Sequence, residues 1–124
     1  MSAALLLDRL TLDADQILTG DAINEDYSHD ECVNVAAVMP AVVLTPRSAE
    51  EVSQILTLAN ELGVAVTCRG AGTGLSGAAI PDADGILLSL ERMAAVIEID
   101  EANHVAVVQP GVTLGELDDA LAPY

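Results

Sequence analysis

Residues 64–77 read Val64-Ala-Val-Thr-Cys-Arg-Gly-Ala-Gly-Thr-Gly-Leu-Ser-Gly77, an apolar strand followed at once by a loop with four glycines. Glycine has no β-carbon, so backbone N–H groups in such a loop can approach and surround an anion. Arg69 precedes the loop, and Thr73 and Ser76 add hydroxyl donors. The residues alone leave two interpretations open: a nest for a diphosphate, or a tight loop that binds no ligand.

The segment before the loop predicts two parallel strands joined by a helix. In chain order it comprises a strand at 41–44, a turn at 45–47, an amphipathic helix at 48–62 and a second strand at 64–67. Ser48 and Glu51 have the spacing of a capping box, and Gly63 supplies a left-handed stop. The pattern indicates a βαβ unit with a right-handed crossover.

The remaining segments are less regular. Three strands and a short helix are expected after the glycine loop, at 86–90, 96–99, 105–109 and 112–121, and Thr113 and Glu116 have capping-box spacing at the start of that helix. Residues 2–19 predict one or two short helices at the surface, with Asp13 as a cap, and residues 20–34 an acidic connecting loop. We therefore expect an α+β fold with a helical extension and acidic loop at 1–40 and a domain at 41–124.

Composition excludes several classes of function. The chain has 124 residues and a formal net charge of −16, from twenty acidic residues and four basic ones. Such a charge repels nucleic-acid backbones and anionic lipid surfaces, and it either serves solubility or attracts a cationic partner. The chain contains no Trp and no Phe, so it offers few rings for stacking on bases. A nucleic-acid partner is not expected.

The two cysteines and the N-terminus predict a cytoplasmic protein. Cys32 and Cys68 are too few and too far apart for a disulfide framework or a zinc site, which fits a reducing compartment. Both are expected to be buried, although Cys68 beside Arg69 could instead be reactive. The N-terminus lacks the basic region of a signal peptide, and no apolar stretch reaches the roughly 18 residues of a membrane span. No metal site is predicted.

The glycine pattern matches neither of two familiar nucleotide-binding motifs, the Rossmann fingerprint and the Walker loop. Residues 72–77 satisfy G-x-G-x-x-G, but a Rossmann fingerprint must open a helix, and here Pro81, Asp82 and Gly85 follow almost at once. A Walker-type loop needs a lysine, and the chain has none.

The chain resembles the FAD-linked oxidases with a p-cresol methylhydroxylase (PCMH) or vanillyl-alcohol oxidase type FAD domain, especially the glycolate oxidase subunit and D-lactate dehydrogenase branch. The matching segments are residues 41–52, 69–81, 88–93 and 107–113, which follow in the family's order. The resemblance implies a PCMH-type FAD-binding domain. Its N-terminal βαβ subdomain would be followed by the start of a second, mixed-sheet subdomain, so the chain would be an N-terminal fragment of such a protein.

The resemblance also implies which residues bind the cofactor. In the family, the loop matching residues 70–76 holds the FAD pyrophosphate through main-chain N–H groups, and residues 77–81 continue along the cofactor. The segment matching 109–113 also approaches it, although an ordinary strand-to-helix turn is the alternative. The implied cofactor-binding residues are Arg69, Gly70, Ala71, Gly72, Thr73, Gly74, Leu75, Ser76, Gly77, Pro81, Pro110, Gly111 and Thr113. Thr73 stands where some relatives carry a histidine that bonds FAD covalently, so non-covalent FAD is expected.

Intact members of the family oxidise a 2-hydroxy acid to the 2-oxo acid and pass electrons to a partner or quinone. Two functions stay open: the FAD-binding portion of such an oxidoreductase, working with the remaining oxidase chain or an iron–sulfur partner subunit, and an inactive remnant or split-subunit piece that binds nucleotide or a partner. No catalytic residue is assigned, because His29 and His104 lie in predicted surface loops. Arg69 either faces a phosphate or pairs with a carboxylate, and Arg47 and Arg92 are expected to be solvated or paired.

Overall fold

The computed structural model describes residues 3–124, which form two sheets and three α-helices. The helices are α1 (Ala3–Leu7), α2 (Ala49–Leu62) and α3 (Leu114–Leu121), and the strands are β1 (Ile17–Thr19), β2 (Val42–Leu44), β3 (Val66–Arg69), β4 (Ile86–Ser89), β5 (Val96–Asp100) and β6 (Val105–Val108). Strands β5 and β6 pair antiparallel as a separate two-stranded sheet. The predicted α+β class is confirmed.

The larger sheet has the strand order β1-β2-β4-β3. Strands β2 and β3 are each parallel to β4, and β1 runs antiparallel to β2. The two strands of the predicted βαβ unit are therefore parallel, as expected, but they are not neighbours. Strand β4, which follows the glycine loop, lies between them.

The core lies on both faces of β2 and β4, which explains why these central strands are apolar without alternation. On one face, α2 packs its buried residues Ile55, Leu58 and Ala59 against the sheet. On the opposite face, Val43 and Leu87 form a smaller cluster with Ile23, Leu18 and Tyr27. Leu18, Ile23 and Tyr27 of the N-terminal region thus pack on the face that α2 leaves open, whereas Ala3 and Leu6 join the core on the α2 side.

Helix α2 begins and ends as the sequence predicts, with one difference. The Ser48 hydroxyl accepts a hydrogen bond from Glu51 N at 3.2 Å, and Gly63 ends the helix in the left-handed region with φ of 64°. The predicted reciprocal contact from the Glu51 carboxylate to Ser48 is wrong. That carboxylate accepts from Arg47 N at 2.7 Å and from the Gln16 side-chain amide at 2.8 Å, because the buried amide of Gln16 needs an acceptor there.

The N-terminal region departs most from expectation. Helix α1 does form at the surface, where Ala4 and Leu5 are exposed while Ala3 and Leu6 are buried in the main core. Residues 17–19, expected to be helical, form a strand because the free edge of β2 offers them backbone hydrogen bonds. Asp13 precedes a short 3-10 helix at Ala14–Gln16, and residue 2 lies outside the described residues. The division of the chain at residue 40 stays a prediction.

Arginines tie the N-terminal region to the rest of the chain. Asp15 accepts from Arg47 at 2.7 Å and from Arg92 at 2.9 Å, and Asp13 accepts from Arg47 at 2.7 Å. The hydrogen bond from Arg92, together with the charge of Arg47, lowers the pKa of Asp15. The expectation that Arg47 and Arg92 are solvated or paired is therefore confirmed, since both form ion pairs with carboxylates and stay partly exposed.

Neither cysteine is buried as expected. Cys32 is partly exposed and Cys68 is exposed, and both are free thiols. Cys68 lies on β3, an edge strand of the sheet, which is less buried than the central strands β2 and β4. Within residues 3–124, no helix has the length and apolar character needed to cross a membrane.

Candidate functional site

The candidate site lies where β3 and β4 end. Arg69 and Ser89 are the last residues of these parallel strands and stand opposite each other in the register. Leu90 N donates to Arg69 O at 3.0 Å, which extends the pairing by one residue. A cleft of about 480 Å³ opens at this edge. Ligands of open α/β sheets bind at the carboxyl ends of parallel strands, and this volume lies within the range of about 300–1,000 Å³ typical of ligand pockets.

The cleft gathers some of the predicted binding residues and leaves others outside. Those lining it are Arg69, Gly70, Ala71, Gly111 and Thr113. Those that do not line it are Gly72, Thr73, Gly74, Leu75, Ser76, Gly77, Pro81 and Pro110. The start of the glycine loop and the segment before α3 therefore meet at one place, although they are far apart in the sequence.

The glycine loop offers unused backbone donors. Within residues 3–124, no backbone N–H of residues 70–78 donates a hydrogen bond to protein. Gly72 and Gly77 adopt φ angles of 74° and 77°, in the left-handed region that favours glycine. Thr73 and Ser76 are exposed on the loop. A run of backbone N–H groups without protein acceptors is the arrangement that binds phosphate oxygens.

Arg69 joins the loop to the N-terminal region. Its side chain is 9% exposed, its Nη1 donates to His29 O at 2.6 Å, and its guanidinium lies 5.8 Å from the centroid of the Tyr27 ring. An ion pair between Arg69 and a carboxylate, the alternative interpretation, is not found among the described residues. No carboxylate of residues 3–124 forms an ion pair with Arg69, which favours the interpretation in which Arg69 faces a phosphate.

Residues 30–32 of the acidic segment pack against the glycine loop and form what we call its back wall. Asp30 is 5% exposed, and its carboxylate accepts from Cys32 N at 2.9 Å and from Ala79 N at 3.4 Å. Glu31 N donates to Gly74 O at 2.9 Å. These contacts join the predicted connecting loop to the glycine loop at two points, so the acidic segment helps to fix the loop's conformation.

Three carboxylates also line the cleft, from Asp26, Glu91 and Glu116. Two already have protein donors. The Tyr27 hydroxyl donates to Glu91 at 2.6 Å, and burial followed by this hydrogen bond raises the pKa of Tyr27 to about 12. Glu116 accepts from Thr113 N and from the Thr113 hydroxyl, which lowers the pKa of Glu116 and completes the predicted capping box of α3. The lining of the cleft thus includes one guanidinium and three carboxylates.

Gly111 brings the segment before α3 close to the residues that follow β4. Gly111 N donates to Met93 O at 2.8 Å, and a β-carbon on Gly111 would overlap Leu90 O. Only glycine permits this approach, which places the start of α3 beside the cleft.

Sequence reasoning missed several lining residues. They are Asn24, Asp26, Tyr27, Ser89, Glu91, Ala94 and Glu116. A signal existed for Ser89, the one polar residue in the apolar run Ile86–Leu90. Ser89 is 1% exposed, and its Oγ has no hydrogen-bond partner among the described residues. His29 and His104 are both exposed and do not line the cleft, as expected.

Free backbone donors, an unpaired arginine and an unpartnered buried hydroxyl fit a ligand that carries phosphate oxygens. Comparison with known proteins agrees with this chemistry. A sequence model of the FAD binding domain family matches residues 40–124, well over half of the chain. The chain therefore belongs to the FAD binding domain family, and FAD is its cofactor.

The chain is similar to longer flavoproteins. It is 56% identical over 106 residues to an FAD-linked oxidoreductase of Mycobacterium tuberculosis, covering 86% of this chain and 23% of that protein. It is 47% identical over 100 residues to the D-lactate dehydrogenase of Archaeoglobus fulgidus, covering 78% and 22%. It is 40% identical over 103 residues to the glycolate oxidase subunit GlcD of Escherichia coli, covering 82% and 21%. The resemblance seen in the sequence is confirmed, and the chain spans less than a quarter of each relative.

Solved structures give the same fold. The structure of alkyldihydroxyacetonephosphate synthase superposes with a TM-score of 0.82 over 96% of this chain and 24% of that one. At 20% identity, this likeness shows the fold alone.

Proposed function

We propose that this chain is the cofactor-holding part of a flavin-dependent 2-hydroxy-acid oxidoreductase, and that its loop 69–77 binds the pyrophosphate of FAD. The observation that supports this most directly is the set of backbone N–H groups of residues 70–78, which have no acceptor within residues 3–124. Backbone N–H groups bind phosphate without needing lysine, which this acidic chain lacks. Arg69 adds a cation that has no ion pair within residues 3–124.

The remaining predicted residues take supporting roles. Thr73 and Ser76 donate hydroxyls from the exposed side of the loop, Gly77 and Pro81 continue along the cofactor, and Pro110 shapes the turn that brings Gly111 and Thr113 to the cleft. Binding is non-covalent, because Thr73 stands where a histidine would form the bond. When bound, FAD supplies the two-electron redox chemistry that these side chains lack.

The substrate is a 2-hydroxy acid of the glycolate or D-lactate type. This rests on the relatives, which are named D-lactate dehydrogenase and glycolate oxidase. Neither histidine of the chain lines the cleft, so a base for the substrate comes from the remaining oxidase chain or from a partner, for which an iron–sulfur subunit is our candidate. The two free cysteines fit a cytoplasmic location.

A second candidate function is an inactive piece that binds nucleotide or associates with other chains. The β5–β6 hairpin favours it, since Val96, Ile97, Val105 and Val107 are exposed large apolar residues. Light scattering separates the two: a chain that stays monomeric while it binds FAD supports the first, and association without FAD binding supports the second.

The proposed function is tested by titrating the purified chain with FAD, riboflavin and ADP. FAD and ADP carry the diphosphate and riboflavin does not. We expect saturable quenching of flavin fluorescence with FAD, no saturation with riboflavin, and displacement of FAD by ADP. Riboflavin binding as tight as FAD binding would remove the pyrophosphate assignment, and no binding of FAD would remove the proposed function.

A further inference from the structure

We propose that Ser89 is a further cofactor-binding residue, whose buried hydroxyl donates a hydrogen bond to a diphosphate oxygen of bound FAD. This inference rests on the proposed function, and it goes beyond the glycine loop to a residue on the sheet itself. It starts from one observation: Ser89 Oγ is fully buried and has no hydrogen-bond partner within residues 3–124.

The strand places the hydroxyl on the cleft side of the sheet. Successive side chains of a strand point to opposite faces, so Ser89 shares a face with Leu87 and not with Leu88. Leu88 packs in the core that α2 covers, and Leu87 packs in the smaller cluster on the opposite face. Ser89 comes after Leu87 on that face, where the strand ends and the cleft begins.

The position of Ser89 carries a cost when no ligand is present. A buried hydroxyl without a partner destabilises the folded state, because it loses its hydrogen bonds to water and gains none. Its neighbours along the chain are Leu88 and Leu90, so an apolar residue would suit the strand better. A residue that breaks the local pattern in this way is expected at a functional site.

The groups around Ser89 indicate which atom of the ligand its hydroxyl contacts. Ser89 stands opposite Arg69 in the register, and the cleft wall beside them is formed by Gly70 and Ala71, the start of the glycine loop. A hydroxyl donor beside a guanidinium and free backbone N–H groups matches an anionic oxygen. The carboxylates of Glu91 and Glu116 lie in the same cleft but are already hydrogen-bonded by Tyr27 and Thr113.

The test is Ser89→Ala, with two readouts that move in opposite directions. Without ligand, the variant should be more stable than the wild type, with a Tm higher by about 4 °C, because the unpartnered hydroxyl is gone. It should bind both FAD and ADP about tenfold more weakly, because one hydrogen bond to a charged group is lost. A residue with a structural role alone would not weaken the binding of ADP while raising Tm.

The matched control is Ser28→Ala. Ser28 is also buried, but its hydroxyl donates to Glu25 O at 2.6 Å and it does not line the cleft. This variant should lower Tm and leave the affinity for FAD unchanged.

The outcomes separate the two proposals. If the wild type binds FAD, and Ser89→Ala binds both FAD and ADP as tightly as the wild type does, the Ser89 proposal is wrong and the proposed function stands. Loss of FAD affinity without loss of ADP affinity would also overturn it, since the contact would then be to the riboflavin half. If the wild type binds no FAD, the proposed function fails and the Ser89 proposal fails with it.

Discussion

The guanidinium of Arg69 lies directly against Gly72, so that a β-carbon on this glycine would overlap Nη2 and Cζ of the arginine. Gly72 also has φ of 74°, a conformation that side-chain-bearing residues rarely adopt. The position of the arginine and the path of the loop are therefore interdependent.

Gly72→Ala should displace Arg69, lower the free energy of unfolding by about 1 kcal/mol or more, and weaken FAD binding at least about tenfold. Thermal unfolding and flavin fluorescence titration measure the two effects. Gly74→Ala is the matched stability control, because its β-carbon would meet only Asp30 Oδ2 at an ordinary distance of 3.8 Å. Equal Tm values for the two variants would contradict the interdependence of Arg69 and Gly72.

Asp30→Ala should make the glycine loop less rigid, because Asp30 connects the acidic segment to the residues that follow the loop. The variant removes the acceptor of Cys32 N and Ala79 N, so we expect the free energy of unfolding to fall by about 1–3 kcal/mol. Hydrogen–deuterium exchange of the Cys32 and Ala79 amides, which lose their acceptor, should become faster, and FAD affinity should fall. Asp82→Ala, at an exposed carboxylate that accepts from Asp84 N, is the control. Unchanged exchange in Asp30→Ala would refute the back-wall role.

Tyr27 should make the protein sensitive to alkaline pH. Burial and the hydrogen bond to Glu91 raise its pKa from 10.0 to about 12, so the folded state retains the phenol proton better than the unfolded chain does. The stability from this group is fully present below pH 10 and is lost as the pH rises through about 12. Tyrosinate absorbance should therefore show one component with a high pKa, and Tyr27→Phe should remove it.

Tyr124→Phe is the control for this titration, since Tyr124 is 66% exposed. It should leave the high-pKa component in place. If that component disappears in Tyr124→Phe and persists in Tyr27→Phe, the assignment to Tyr27 is wrong.

The local part of the fold could be predicted from the sequence. Helix α2 has an N-cap at Ser48, a left-handed stop at Gly63 and one apolar face, and each of these signals lies within the helix itself or beside it. The order of the strands could not be predicted in this way. Strand β4 pairs with both β2 and β3 and is buried on both faces, an arrangement that depends on residues far apart in the chain.

The candidate site likewise has a local part that could be predicted from the sequence and a long-range part that could not. The glycine loop could be identified because its four glycines directly follow an apolar strand, an order that favours a backbone anion site. The lining by Asn24, Asp26 and Tyr27 could not, because an acidic segment of low regularity gives no sign of which strand end it will cover. Ser89 could have been found from its polarity within an apolar strand, but its lack of a partner required the structure.

The insertion of β4 between β2 and β3 has a consequence for synthesis on the ribosome. Until residues 86–89 have emerged, β2 and β3 have no partner strand between them, and α2 has only part of its sheet to cover. The glycine loop is the connection that carries the chain from β3 to this central strand. We therefore expect the hydrophobic core to be completed only after residues 86–89 have emerged, and shorter nascent chains to expose β2 and β3 to aggregation.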